Sequence, residues 1–530
     1  MQHYHIPFRN TGYFSKLMCN YLDENQEVNL FYNRFPNLEN FKKQIEEKQD
    51  AFTLETRLAL ASVLQKQYQN IDTSELTLQN IEHLKLDNTF TVTTGHQLNL
   101  FTGPLYFLYK ITSAINLAKE LKQKYPKFNF VPVYWMATED HDFEEINYFN
   151  FKGKKIQWNK SSAGAVGELS TEGLEEVFNV FSSELGNTKN AEFLKALFKK
   201  SYLEHHNLAD ATRFLANELF AEYGLVIIDA NEKALKKEFI PVVKDELLNQ
   251  TSFKLVSKTN KALSKAYNIQ VNPREINLFY INKNLRERIV FDNNQYKVLN
   301  TNIVWDKTEM LKELDENPER FSPNVIMRPL YQEVILPNLC YIGGGGEIAY
   351  WFQLKDYFKE VNIPFPILLL RNSVLIQTEN QQKKLQNLNI SNEDIFLKQN
   401  TLINKKVREI SNIDIDFSTQ KKYLEQQFKA LYALAEQTDK SFLGAVKAQE
   451  KKQLKGIENL EKRLLKAQKK KLSDQVFRMT EIQNALFPSQ SLQERNTNFS
   501  EFFLEHGDKL IPNLVESLKP LKGDFLILSL

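Results

Sequence analysis

Cysteine is nearly absent from this chain. Cys19 and Cys340 are too few and too unpatterned for a disulfide framework or a thiolate metal site, so reduced thiols are expected. Long apolar runs are missing too: no stretch approaches the ~20 residues that span a bilayer. The amino terminus, MQHYHIPFRNTGYF, has no apolar segment of the kind a signal peptide needs. These absences predict a soluble, cytoplasmic protein without a membrane partner. Charge of one sign is also lacking. Lys plus Arg number 68 against 66 for Asp plus Glu, which gives no general affinity for nucleic acid. The one basic run, KAQKKKL, reads as the solvated face of a long helix. What is present is apolar and aromatic material, 42% and 12% of residues, enough for substantial cores. A length of 530 residues implies two or three domains.

Residues 1–88 are Pro-poor and charged, with helical spacing in LETRLALASVLQKQY, and predict an N-terminal helical layer on the core. Two apolar strands follow, in TFTVTTGHQLNLFTGPLY and VPVYWMATEDHDF, separated by an amphipathic helix from about Tyr106 to Gln123. A third strand spans Leu225–Asp229 after a helix ended by Gly224. NLCYIGGGGEIAYWFQLKDYF adds a strand, a glycine turn and a helix, and PFPILLL a short buried strand. Five strands alternating with helices predict an α/β fold, a Rossmann-like doubly wound parallel sheet over residues 89–375. Insertions are expected at about 151–210 and 255–320, the second with antiparallel strands joined by Asn-rich turns. Residues 376–530 predict a C-terminal helical domain with an antiparallel coiled coil. Its seam is read at Leu424, Phe428, Leu431 and Ala435, then Leu454, Ile457, Leu460, Leu464 and Ala467. That seam predicts a homodimer.

Three constellations carry chemistry. Gly95-His96-Gln97 ends the first strand, where turn N–H groups and the two side chains suit an anion. Thr138-Glu139-Asp140-His141-Asp142 ends the second. Three carboxylates and an imidazole so close together repel one another unless a ligand or basic partner offsets them. Alternating side-chain directions keep all four from converging on one metal ion; recognition of an amine or hydroxyl-rich substrate is favoured over a metal site, with capping of the next helix by Asp140 or Asp142 as the structural reading. Both strand ends are expected on one sheet edge, lining one pocket. Gly343 to Gly346 before Glu347 form the third, a backbone that a ligand can approach closely. Upstream, SPNVIMRPLYQEVILP offers Arg328, Gln332 and Glu333; Arg328 and Gln332 share a helix face by their spacing, and Arg328 suits either a carboxylate or phosphate ligand or a buried structural salt bridge.

The order TGHQ and LFTGPLY, ATEDHDFEEIN, SPNVIMRPLYQEVILPNLCYIGGGGEIAYW, PFPILLLRNS and LQERNTN resembles the cysteine ligase family of bacillithiol biosynthesis, across essentially the whole chain. The resemblance implies a core related to class I aminoacyl-tRNA synthetases, two connecting insertions and a dimerising coiled coil. It implies joining L-cysteine to glucosaminyl-malate in the last step of that pathway, with ATP, accompanied by Mg2+, activating the cysteine carboxylate. The catalytic residues it implies are His96, Glu139, Asp140, His141 and Asp142. Thr94, Gly95, Gln97, Thr102 and Gly103 would bind substrate with Arg328, Gln332, Gly344, Gly345 and Glu347. A nucleotide site is expected near Arg371, Ser373 and Asn498, and no resident metal. A non-catalytic nucleotide-binding or scaffolding partner in thiol synthesis is the alternative.

Overall fold

The computed structural model describes residues 2–438 and 440–530. These form two compact units. One holds residues 2–9, Tyr13–Leu375 and Gln493–Leu528, and the other Asn10–Gly12, Ile376–Leu492 and the last two residues. The stretch 493–528 therefore packs with the core, although the sequence reading assigns everything after 375 to the helical domain.

Five parallel strands make the central sheet of the first unit: β1 (Thr89–His96), β2 (Asn129–Met136), β3 (Val226–Asp229), β4 (Asn338–Gly343) and β5 (Ile367–Leu370). Their order is β5-β4-β1-β2-β3, with Gly95 beside Trp135, Thr94 beside Ile342 and Gly343 beside Leu370. Strand order reverses between β1 and β4, so a crevice opens there at the carboxyl edge, the site where doubly wound sheets bind ligands. Every residue of β1 is buried, which accounts for its β-branched run. Phe41 and Ile45 of the helix Leu38–Ala51 join Phe90, Val92, Leu117, Leu121, Leu339 and Ile342 in one buried cluster, so the N-terminal helices do cover the sheet. The layer is not wholly helical: Gln2–Pro7 is a strand paired with Asp524–Ser529. Its partner lies at the far end of the chain, beyond the reach of local pattern.

The first insertion opens with a hairpin, Tyr148–Phe151 against Lys154–Gln157, and continues as helices Leu174–Leu185 and Lys189–Phe198. The second carries the expected antiparallel strands Leu278–Asn282, Leu285–Asp292 and Gln295–Val298. Asn293 and Asn294 both adopt left-handed φ (52° and 59°), as a two-residue hairpin turn of type I′ requires.

In the second unit the helix Ser418–Ala435 packs along Lys440–Lys471. Phe428, Ala435 and Val446 are buried together beside Leu424, and Leu465 is buried with Ile403, Val407 and Ile415, beside Leu464. The seam departs from the sequence reading at three places. Leu431 and Leu460 are 40% and 57% exposed, and Ala467 faces solvent. Glu461 takes the inward position instead of Leu460, where it accepts from Arg408 and Lys421 at 2.9 and 2.8 Å. The two cations draw the charged residue inward and turn its apolar neighbour out.

Candidate active site

The cavity at the switch point has a volume of about 470 Å³. One wall is cationic. Lys110 is the charged residue on the buried face of the helix Tyr106–Lys124; its ammonium donates to the Gly95 carbonyl (2.7 Å) and to Glu347 Oε2 (2.7 Å). Glu347 also receives the Gly344 N–H (2.8 Å) and the Tyr341 hydroxyl (2.6 Å), so it closes the turn after β4. A side chain at Gly343 would stand 2.9 Å from the Tyr341 ring and 3.0 Å from Glu347 Cβ, which is why that turn needs glycine. Arg371, just beyond β5, pairs with buried Glu494 (2.8 Å) and lies 4.8 Å from the Tyr106 ring centre. Arg328 and Arg495 complete this wall.

The facing wall is acidic. β2 runs out into Thr138, Glu139 and Asp140, all of which line the cavity. Asp140 accepts from Gln97 Nε2 (3.0 Å) and the His141 N–H (2.8 Å). Burial raises its pKa, but the His141 side chain, 3.6 Å away, then these hydrogen bonds and the nearby Arg286 outweigh burial and hold the carboxyl well below the ordinary range. Glu139 is an ion-pair partner of Lys236, whose ammonium also donates to the Phe321 carbonyl (2.9 Å). Arg286 comes from the antiparallel insertion, stacks 3.9 Å over Phe279 and donates to His141 Nδ1 (2.6 Å).

His96 sits between these walls, 7% exposed, with its ring 5.3 Å from Tyr106 and 5.1 Å from Phe107. Burial, then Lys110 and Arg371, push its pKa well below the ordinary value, so the imidazole is neutral. Its Nε2 is buried without a hydrogen-bond partner, unusual for a polar atom in a protein interior.

The cavity thus gathers Gly95, His96, Gln97, Glu139, Asp140, Arg328, Gly344, Gly345, Glu347 and Arg371 from distant parts of the sequence. Other candidates fall outside it. His141 is turned to Arg286 and Asp142 is exposed, because the chain leaves β2 through a turn closed by the Asp140 N–H donating to the Ala137 carbonyl (3.2 Å). Asp142 precedes the helix Phe143–Ile146 without a side-chain cap bond. Thr94 donates to the Ile342 carbonyl within the sheet. Asn498 donates to the carbonyls of Phe101 and Gly103 (2.8 and 2.6 Å), so Asn498, Thr102 and Gly103 form a loop tie away from the cavity. Ser373 is buried under Arg371 and Glu494, and Gln332 lies behind Arg328. Sequence reasoning missed Lys110, Arg286, Lys236 and Arg495. A lysine within the apolar stripe of a helix is a signal for Lys110; Arg286 and Lys236 carry no local one. Among the described residues no group of three His, Cys, Asp or Glu side chains is arranged to hold a metal ion, and no helix is long and apolar enough to cross a membrane.

A doubly wound sheet with a cleft at its switch point lined by both cations and carboxylates, two insertions and a coiled-coil unit define a Rossmann-type protein. Residues 1–372 match the family model for the Bacillithiol biosynthesis BshC N-terminal Rossmann-like domain, and 374–530 match its C-terminal coiled-coil domain. The chain belongs to the BshC family. Relatives named "Putative cysteine ligase BshC" include those of Flavobacterium johnsoniae (63% identical, covering 99% of both chains) and Christiangramia forsetii (60% identical, covering 99% of this chain and 98% of the relative). The relative from Bacillus cereus is 28% identical over 96% of each chain.

Proposed function

We propose that the chain is a carbon–nitrogen ligase joining the carboxyl group of L-cysteine to the amine of glucosaminyl-malate, with ATP as activator, in the last step of bacillithiol synthesis. One observation carries this reading: a single cleft sets Lys110, Arg328, Arg371 and Arg495 opposite the strongly acidic Asp140. Amide formation from a free carboxylate is uphill in water, so activation must precede attack. The cysteine carboxylate attacks the α-phosphate of ATP and pyrophosphate leaves. The amine then attacks the carbonyl carbon, the C–N bond forms, the C–O bond to AMP breaks and the amine gives up a proton. The cationic wall suits the carboxylate and phosphate charge at both steps. Asp140 holds no proton near neutrality; it orients the amine rather than deprotonating it. Neutral His96 offers a hydrogen bond there without adding charge. Mg2+ enters with the nucleotide.

The leucines left exposed on the coiled coil support a homodimer through that unit. The family relationship supports action in the cytoplasm. The test is reconstitution: purified protein with ATP, Mg2+, L-cysteine and glucosaminyl-malate should yield bacillithiol, AMP and pyrophosphate by mass spectrometry and phosphorus NMR. ADP and phosphate would replace the adenylate with an acyl phosphate. Binding of all three substrates without product would favour the scaffolding role.

A further inference from the structure

One ion pair lies behind the cleft, out of contact with water. Lys48, on the helix Leu38–Ala51, donates to Glu333 Oε2 (3.2 Å) and to the Glu333 carbonyl (3.0 Å), and both side chains are at most 1% exposed. The other carboxylate oxygen accepts from Asn338 Nδ2 (2.7 Å) and Gln332 Nε2 (3.0 Å). Three donors meet one carboxylate, so Glu333 is purely an acceptor. That arrangement dictates how the Gln332 amide faces. With its NH2 turned to Glu333, its oxygen is left for Arg328 Nη1, 3.1 Å away. Arg328 Nη2 donates to the Tyr350 hydroxyl (3.3 Å), and the guanidinium lies over the Trp135 and Tyr341 rings. Each Nη carries a second hydrogen, and the guanidinium lines the cleft.

We propose that Lys48, Glu333 and Gln332 form a positioning relay that sets the direction of the Arg328 guanidinium and thereby the affinity of the cleft for a carboxylate or phosphate group of its ligand. The ligand rests on the function proposed above; the relay geometry does not. Charge at Glu333 is what keeps the relay polarised, since a neutral partner there would let the Gln332 amide turn its NH2 toward Arg328, donor against donor.

The test uses the full chain. Gln332→Met keeps volume and removes the acceptor, while Glu333→Gln is combined with Lys48→Met so that no buried charge is left unpaired. With arginine labelled in 13C and 15N, the Nη signals of Arg328 should be separate in the unmodified protein and averaged in both variants. Calorimetric titration with glucosaminyl-malate, L-cysteine and ATP in turn identifies which anion Arg328 holds. That ligand should bind about tenfold more weakly to Gln332→Met, and Gln332→Met should cause no further loss when added to Arg328→Met. Equal losses in both backgrounds, or Arg328 signals unchanged by Gln332→Met, would overturn the relay. If the unmodified protein binds none of the three ligands, the proposed function fails, and the NMR comparison still decides the relay.

Discussion

The two walls of the cleft manage charge in opposite ways. On the β4 side the cations are braced but keep donors for a ligand: Arg328 rests on Gln332 and Tyr350, and Arg371 rests on Glu494. On the β2 side one carboxylate is spent within the protein. Glu139 is consumed by Lys236, whereas Asp140, held by Gln97, by His141 and by the nearby Arg286, stays an anion facing the cleft. An acidic cluster in sequence is therefore divided in space, with Glu139 paired to Lys236 and Asp140 left facing the cleft. Residue type alone would have treated all the acids alike.

The sharpest way to break this contrast is to remove the hidden partner. Lys236→Met should leave Glu139, 12% exposed at the cleft, without its ammonium partner, and urea unfolding should show a loss of about 3 kcal/mol, the low end for a broken buried pair. Glu139→Gln with Lys236→Met should recover most of it. If Lys236→Met costs under 1 kcal/mol, Glu139 is not spent on structure and regains a claim to chemistry.

Next in size is an effect on function without one on folding. Asp140→Asn should lower bacillithiol output at least a hundredfold, about 3 kcal/mol of transition-state stabilisation, in a strain dependent on this chain. Its melting temperature near neutral pH should fall only slightly. His141→Ala, outside the cleft, should retain most output. Equal damage from both would show that the whole cluster acts, contrary to the geometry.

The titration of Asp140 gives a smaller effect with a definite sign. Its folded pKa is depressed, so its contribution to stability is present above the unfolded carboxylate value of about 3.9 and fades as pH falls through the lower folded value. The stability difference between the protein and Asp140→Asn should be constant from pH 5 to 7 and shrink below pH 4. A difference that instead grows in acid would reverse the assignment.

The smallest effect on stability is expected on the coiled coil. Leu431→Gln with Leu460→Gln, both exposed, should change unfolding free energy by under about 0.5 kcal/mol per site, while shifting the mass by light scattering from dimer to monomer. Val446→Ala should do the reverse, costing stability without changing mass. A monomer before any substitution would remove the dimer.

Much of the core was legible because its signals are local. The β-branched run of β1, the apolar β2, Gly224 at a helix end and the glycine turn after β4 each name their own conformation, and right-handed crossovers then bring strand ends to one edge. The loci around Gly95, Asp140 and Gly344 follow from that rule alone. Lys236 and Arg286 were not legible, since an ion pair across about a hundred positions leaves no trace in either neighbourhood. The seam misreading at Leu460 has the same origin: steps of three and four both satisfy a helix, and only Arg408 and Lys421 on other helices favour Glu461 inward.

The sequence by itself determined the strands, their turns and the chemical kinds of residue at their ends, because backbone preference and hydrophobic period act over a few residues. Tertiary structure alone decided which charges are neutralised and which are free. It also returned Gln493–Leu528 to the core, carrying Glu494 to Arg371, and turned His141 away from the cleft. Pairing of buried charges is set by distance in space, where desolvation makes every unpaired ion costly, and that distance is defined only once the chain has folded.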